Sequence, residues 1–204
     1  MLAQQTYVIF VDVSDKRTEE IDALEQIVSL VSAYVSKHKM EQSPAENPWI
    51  TALNNIPFLT HSAKGNNTYR TKDLNAAFHT VANVSEINLR DAILTLGNNF
   101  SKYLKESSND ISQASYILLE AFTHAAQRMM VKAPSIRLTS ISFSSEQALN
   151  RKYSTQDVTL QITAYDYSFD FDKLMDPKNK MDWDALMEGT GAFPGVDCVI
   201  RIPE

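Results

Sequence analysis

The sequence predicts an α+β fold: a small mixed or antiparallel sheet of about four strands, covered by an amphipathic helix, with a helical-hairpin insertion and extended arms. Three observations carry this. A β-rich run at the front feeds a long stretch with helical apolar spacing. Beyond Pro134 the apolar period changes from about 3.6 to 2, so the later part of the chain reads as strands. A Pro- and Asn-rich segment and an acidic segment fit neither pattern and read as limbs.

Residues Thr6 to Val13 are β-branched and aromatic, as in a strand buried on both faces, and Ser14, Asp15 and Thr18 can cap the helix that follows. From Thr18 to Lys39 one apolar line runs Ile21, Leu24, Val28, Val31, Val35 and a second runs Ile27, Leu30, Tyr34. Together they make a broad stripe suited to covering a sheet. Lys37, His38 and Lys39 complement the dipole of its last turn.

Residues 40 to 72 are broken by Pro44, Pro48 and Pro57 and predict a long irregular segment. Trp49, Ile50, Leu53, Ile56, Phe58 and Leu59 make it too apolar for a solvated linker. Asp73 or Asn75 starts a short helix through Phe78 and Val81, and Leu89, Ile93, Leu96, Phe100 and Tyr103 continue at helical spacing. Past a break at Ser107 to Asp110 the spacing resumes at Ile111, Leu118, Phe122, Ala125 and Met129, which predicts a helical hairpin.

Ile136 and Leu138 alternate, the phase slips around Ser140, and Ile141 and Phe143 resume, as at a bulge or strong twist. Val158, Leu160, Ile162 and Ala164 form a second strand, reached through a long connection whose tip carries Arg151, Lys152 and Tyr153. Residues 166 to 188 hold seven acids and three lysines, so they read as part of an acidic arm reaching to 196. Val196, Cys198, Ile200 and Ile202 close the chain as a strand. The organisation is one α+β domain over 1–204, with 40–133 as irregular segment plus helical insertion and 166–196 as the arm.

Composition limits the chemistry. The apolar share of 44% and charged share of 22% are those of an ordinary globular chain. Nineteen basic against twenty-five acidic residues leave a net charge of −6, which argues against specific nucleic-acid binding. One cysteine, Cys198, forms no internal disulfide and no zinc box, and fits a reducing compartment. The first residues lack a basic leader, and the run from Tyr7 to Val11 is too short for a signal core or a bilayer span, so the chain reads as cytosolic without a membrane partner. With five glycines, three of them in the last sixteen residues, no phosphate-cradling loop can be written.

No catalytic, cofactor or metal motif completes. Asp12-Val13-Ser14-Asp15 fails the DxSxS pattern at Lys16 and the DxD pattern at Ser14, and reads as a capped strand-to-helix turn. Asp166, Asp170, Asp172 and Asp176 would share a face if extended, but a solvated acidic edge is the simpler reading. His38, His61, His79 and His124 show no zinc-protease spacing, and no GxSxG elbow exists.

The front block TYVIFVDVSDKRTEEIDALEQIVSLVSAYV and the later block SIRLTSISFSSEQALNRKYSTQDVTLQITAYDYSF resemble the tail-completion proteins of contractile-tailed bacteriophages, the tail terminators or sheath stabilisers. The likeness spans residues 6 to 36 and 134 to 170, about a third of the chain, and rests on pattern; residues 40 to 133 depart from it. It implies a non-enzymatic structural subunit of the virion, assembled in the host cytoplasm. Such a subunit forms a hexameric ring with sister copies and meets tail tube, sheath and neck proteins. Interface residues expected on this reading are Trp49, Phe58, Arg151, Lys152, Tyr153 and Trp183, of types that suit partner contact. The alternative that the residues leave open is a soluble cytosolic enzyme or a small-ligand-binding module.

Overall fold

A computed structural model of the chain describes residues 3–11, 19–38, 47–124, 126, 133–151, 157–187 and 193–203. The elements among them run β1 (Ala3–Val11), α1 (Glu19–His38), α2 (Pro48–Asn54), β2 (Leu59–Thr71), α3 (Leu74–Val84), α4 (Arg90–Lys105), β3 (Gln113–Phe122), β4 (Ser135–Ser144), β5 (Val158–Phe169), α5 (Phe171–Met175), α6 (Pro177–Met187) and β6 (Cys198–Ile202). The α+β class stands. The sheet has six strands rather than about four, in the order β2-β5-β4-β3-β1-β6.

Hydrogen bonds at the strand ends give their directions. The Thr123 amide donates to the Val11 carbonyl, so β3 and β1 end side by side and run parallel. Ser145 donates to Ser112, Phe169 to Pro134 and Asp170 to Phe58, each pairing the end of one strand with the start of its neighbour. Thus β3, β4, β5 and β2 are successively antiparallel, and the sheet is mixed.

The two unforeseen strands are β2 and β3. The segment expected as the hairpin's second helix, from Ile111, is β3 as far as Phe122, and every residue from Ala114 to Phe122 is buried. A strand covered on both faces shows no alternation, and its apolar positions then match a helical template by accident. The expected irregular segment likewise holds α2 and β2. The helix forms because the Asn47 side chain accepts from the Trp49 amide and Pro48 occupies the first turn. Strand β2 is polar and largely exposed. The helical hairpin of the insertion is instead α3 against α4, and Asp73 caps α3 by accepting from the Ala76 amide at 2.7 Å. The slip at Ser140 lies within one continuous strand, β4.

The chain divides into two compact units. One comprises Met1–Tyr7, Lys64–Leu118 and Thr139–Ala164. Its core is an aromatic cluster in which Phe78 of α3 meets Phe143 at 5.2 Å and Phe100 of α4 meets Tyr116 at 5.2 Å. The other comprises Val8–Ala63, Leu119–Leu138 and Tyr165–Glu204. In it α1 packs on α2 and α5 on α6, with Ile21, Leu24, Ile27, Val28, Val31 and Val35 all buried. Helix α1 is held from outside as well. Glu20 accepts from the His124 amide at 3.0 Å, and Glu25 pairs with Arg201, whose guanidinium also lies 5.0 Å from the centre of the Phe10 ring. No helix among the described residues is long and apolar enough to cross a membrane.

Candidate functional site

The site is built where the second apolar line of α1 meets two short helices. A helix that packs along one line needs one stripe; α1 carries two, and the second leaves Leu30 and Tyr34 only half-buried. Helix α2 ends at Asn54, where the Asn55 and Ile56 amides turn back to Ala52 and Leu53. Pro57 prevents continuation, and this brings Ile56 and Phe58 toward α1. Strand β5 then stops at Phe169. Asp170 donates its amide to the Phe58 carbonyl at 2.9 Å and caps α5 by accepting from the Lys173 amide at 2.9 Å.

Trp183 of α6 completes the wall. Its indole N–H donates to Gln26 Oε1 at 2.6 Å, and its ring stands edge-on to Phe58 with centroids 5.8 Å apart. The result is a groove of about 470 Å³. Leu30, Val31, Ala52, Ile56, Phe58 and Trp183 make its apolar wall, and Tyr34, Asn55, Asn179, Asp182 and Lys173 also line it. The polar residues at the mouth are in part tied down: Asn179 donates to the Lys173 carbonyl at 2.8 Å and Lys173 Nζ to the Pro57 carbonyl at 3.4 Å.

Tyr167, near the end of β5 in this unit, is a perturbed titratable group. Burial pushes the Tyr167 hydroxyl up to about 12, with a smaller contribution from neighbouring Tyr165. That hydroxyl donates to Asn54 Oδ1 at 3.2 Å, which ties β5 to the end of α2, and the His61 and Tyr167 ring centroids lie 5.5 Å apart.

The expected interface residues divide. Phe58 and Trp183, drawn from two separate limbs of the sequence, meet in the groove, and both are buried, as is Trp49 on α2. Arg151 is exposed but engaged within its own unit, donating to Asp110 Oδ1 and to the Ser108 carbonyl, each at 2.8 Å. Lys152 and Tyr153 lie outside the described residues, as do Asp12 to Lys16 and Met129.

The four aspartates do not converge. Asp166 forms a two-pronged pair with Arg137, Asp170 and Asp176 accept from backbone amides at the starts of α5 and α6, and Asp172 is exposed. No group of three His, Cys, Asp or Glu among the described residues is placed to hold a metal ion. Residues 171–187, expected as part of an extended arm, form α5 and α6 with Leu174 and Trp183 buried. The sequence reading missed Asn179 and Asp182 at the mouth. The breadth of the α1 stripe was the signal that could have marked the groove.

No family model matches the chain, and no curated protein matches it. Among solved structures, the Evf virulence factor superposes with a TM-score of 0.61 at 12% identity, covering 99% of this chain and 87% of that one. A delta-endotoxin gives a TM-score of 0.45 at 7% identity, covering 82% and 81%. The activated Cyt2Ba monomer from Bacillus thuringiensis subsp. israelensis gives 0.41 at 10% identity, covering 82% and 97%. The first likeness shows a shared fold. None of these three is a phage tail-completion protein.

Proposed function

We propose that this chain is a binding protein, not an enzyme, which takes a small apolar molecule into the groove between α1, α2 and α6, and that it serves in virulence. The observation that carries the binding reading is the groove. Its volume of about 470 Å³ falls in the usual range for small-molecule sites. Its walls are predominantly apolar, and Tyr34, Asn55, Asn179, Asp182 and Lys173 add polar groups to the lining that a ligand's polar end could meet. The virulence setting rests on analogy of fold with the Evf virulence factor over nearly all of both chains.

The test is a homologous series of n-alcohols titrated against the full chain and followed by tryptophan fluorescence. Each added methylene taken out of water contributes about 0.8 kcal/mol, so affinity should rise roughly fourfold per carbon until the groove is full. Leu30→Glu, at a half-buried wall position, should lower it by about tenfold. A flat series, or one that Leu30→Glu leaves untouched, overturns the reading.

A second reading, the ring subunit of a phage tail terminus, is favoured by one observation. Strand β2 is a sheet edge of thirteen residues, exposed over most of its length, where a sister copy could add a strand. Light scattering separates the two readings by mass.

A further inference from the structure

The unit built on α3 and α4 contains a second cleft, of about 490 Å³ and of opposite character. Four adjacent strands contribute to it, with Arg70 near the end of β2, Thr159 near the start of β5, Ser144 at the end of β4 and Gln113 at the start of β3. Glu146 and Asp157 add carboxylates from the flanking loops, beside Ser112, Ser145 and Gln147. The side chains of Arg70, Gln113, Ser144, Glu146, Asp157 and Thr159 hydrogen-bond to no other described residue, so among the described residues a set of donors and acceptors lines the cleft without a partner.

The loop after β4 is held in shape. Ser145 donates its amide to the Ser112 carbonyl at 3.0 Å, and Leu149 donates to the Ile111 carbonyl at 2.6 Å. Buried Asn150 accepts from the Ile111 amide at 3.1 Å and donates to the Asn109 carbonyl at 2.8 Å. A site fixed in this way loses little freedom when a ligand arrives.

The chemistry of the lining selects the ligand class. An anion would meet two carboxylates against a single guanidinium. A bare cation finds no third His, Cys, Asp or Glu among the described residues. An apolar molecule would strand the polar groups. A ligand dense in hydroxyls satisfies them all, because each hydroxyl donates to a carboxylate and accepts from a guanidinium or amide, while Ser and Thr do both. We infer that this cleft binds a neutral saccharide, one or two sugar units in size.

The experiment uses the isotope-labelled full chain and nuclear magnetic resonance. Glucose, galactose, N-acetylglucosamine and their disaccharides are the probes, with inorganic phosphate and calcium as controls. At least one saccharide should move the amide signals of Gln113, Ser145, Gln147 and Thr159 in a saturable way, and the controls should not. Arg70→Ala and Asp157→Asn, both at exposed positions, should each weaken that binding about tenfold while leaving n-alcohol binding at the other groove intact. The inference is overturned if no saccharide saturates, if the moved signals lie elsewhere, or if phosphate or calcium moves them more. The map on the unmodified chain decides the matter even if a variant fails to fold.

Discussion

Gly97 in α4 shows how a single residue is tied to its surroundings. Alanine in a helix interior ordinarily stabilises by about 1 kcal/mol over glycine. Here a Cβ would stand 2.8 Å from Cγ of Phe78, a ring that also contacts Phe100 and Phe143. The clash outweighs the propensity gain, and Gly97→Ala is expected to destabilise by about 1–3 kcal/mol, measured by urea unfolding. Tyr167 gives a pH signature. Its hydroxyl titrates near 12 in the fold against 10.0 in a free chain. Below pH 10 both states hold the proton; between 10 and 12 the unfolded chain releases it and the folded chain does not, so stability falls as pH rises through that window. Tyr167→Phe should lessen this decline in thermal melts, and in a tyrosinate absorbance titration it should reduce the component that titrates late.

Among the elements, α3 was legible because its start is written locally. Asp73 carries an oxygen at the spacing that an N-cap needs, and the Ala76 amide takes it. Replacing Asp73 with Ala should cost about 1 kcal/mol in chemical unfolding, with no change in n-alcohol binding, since α3 lies in the other unit. Helix α1 was legible for the same kind of reason, its periodicity being a property of the helix alone. Strand β3 was not. QASYILLEAF is apolar almost throughout, and only its neighbours β4 and β1 decide that it extends. Strand β2 fails in the opposite way: LTHSAKGNNTYRT has no apolar rhythm, and its pairing with β5 holds it in the sheet.

At the scale of the molecule, the question is whether the aromatic limbs serve sister copies or the chain itself. Trp49, Phe58 and Trp183 are 3%, 7% and 3% exposed within a single chain, so their apolar surface is already covered. The groove reading therefore expects light scattering to show one 23.0-kDa chain at every concentration. A defined higher mass, lowered by charge reversal at Arg151 and Lys152, would favour the ring. The sequence by itself determined the α+β class, the extent of α1, a short helix beginning at Asp73 or Asn75 and passing through Phe78 and Val81, and the change of period beyond Pro134, all of which depend on residues near one another along the chain. Only the tertiary structure decided that the sheet has six strands, that Phe58 and Trp183 meet, and that α1's second apolar line is a groove wall. Those facts depend on which distant segments are neighbours in space, and local periodicity carries no record of that.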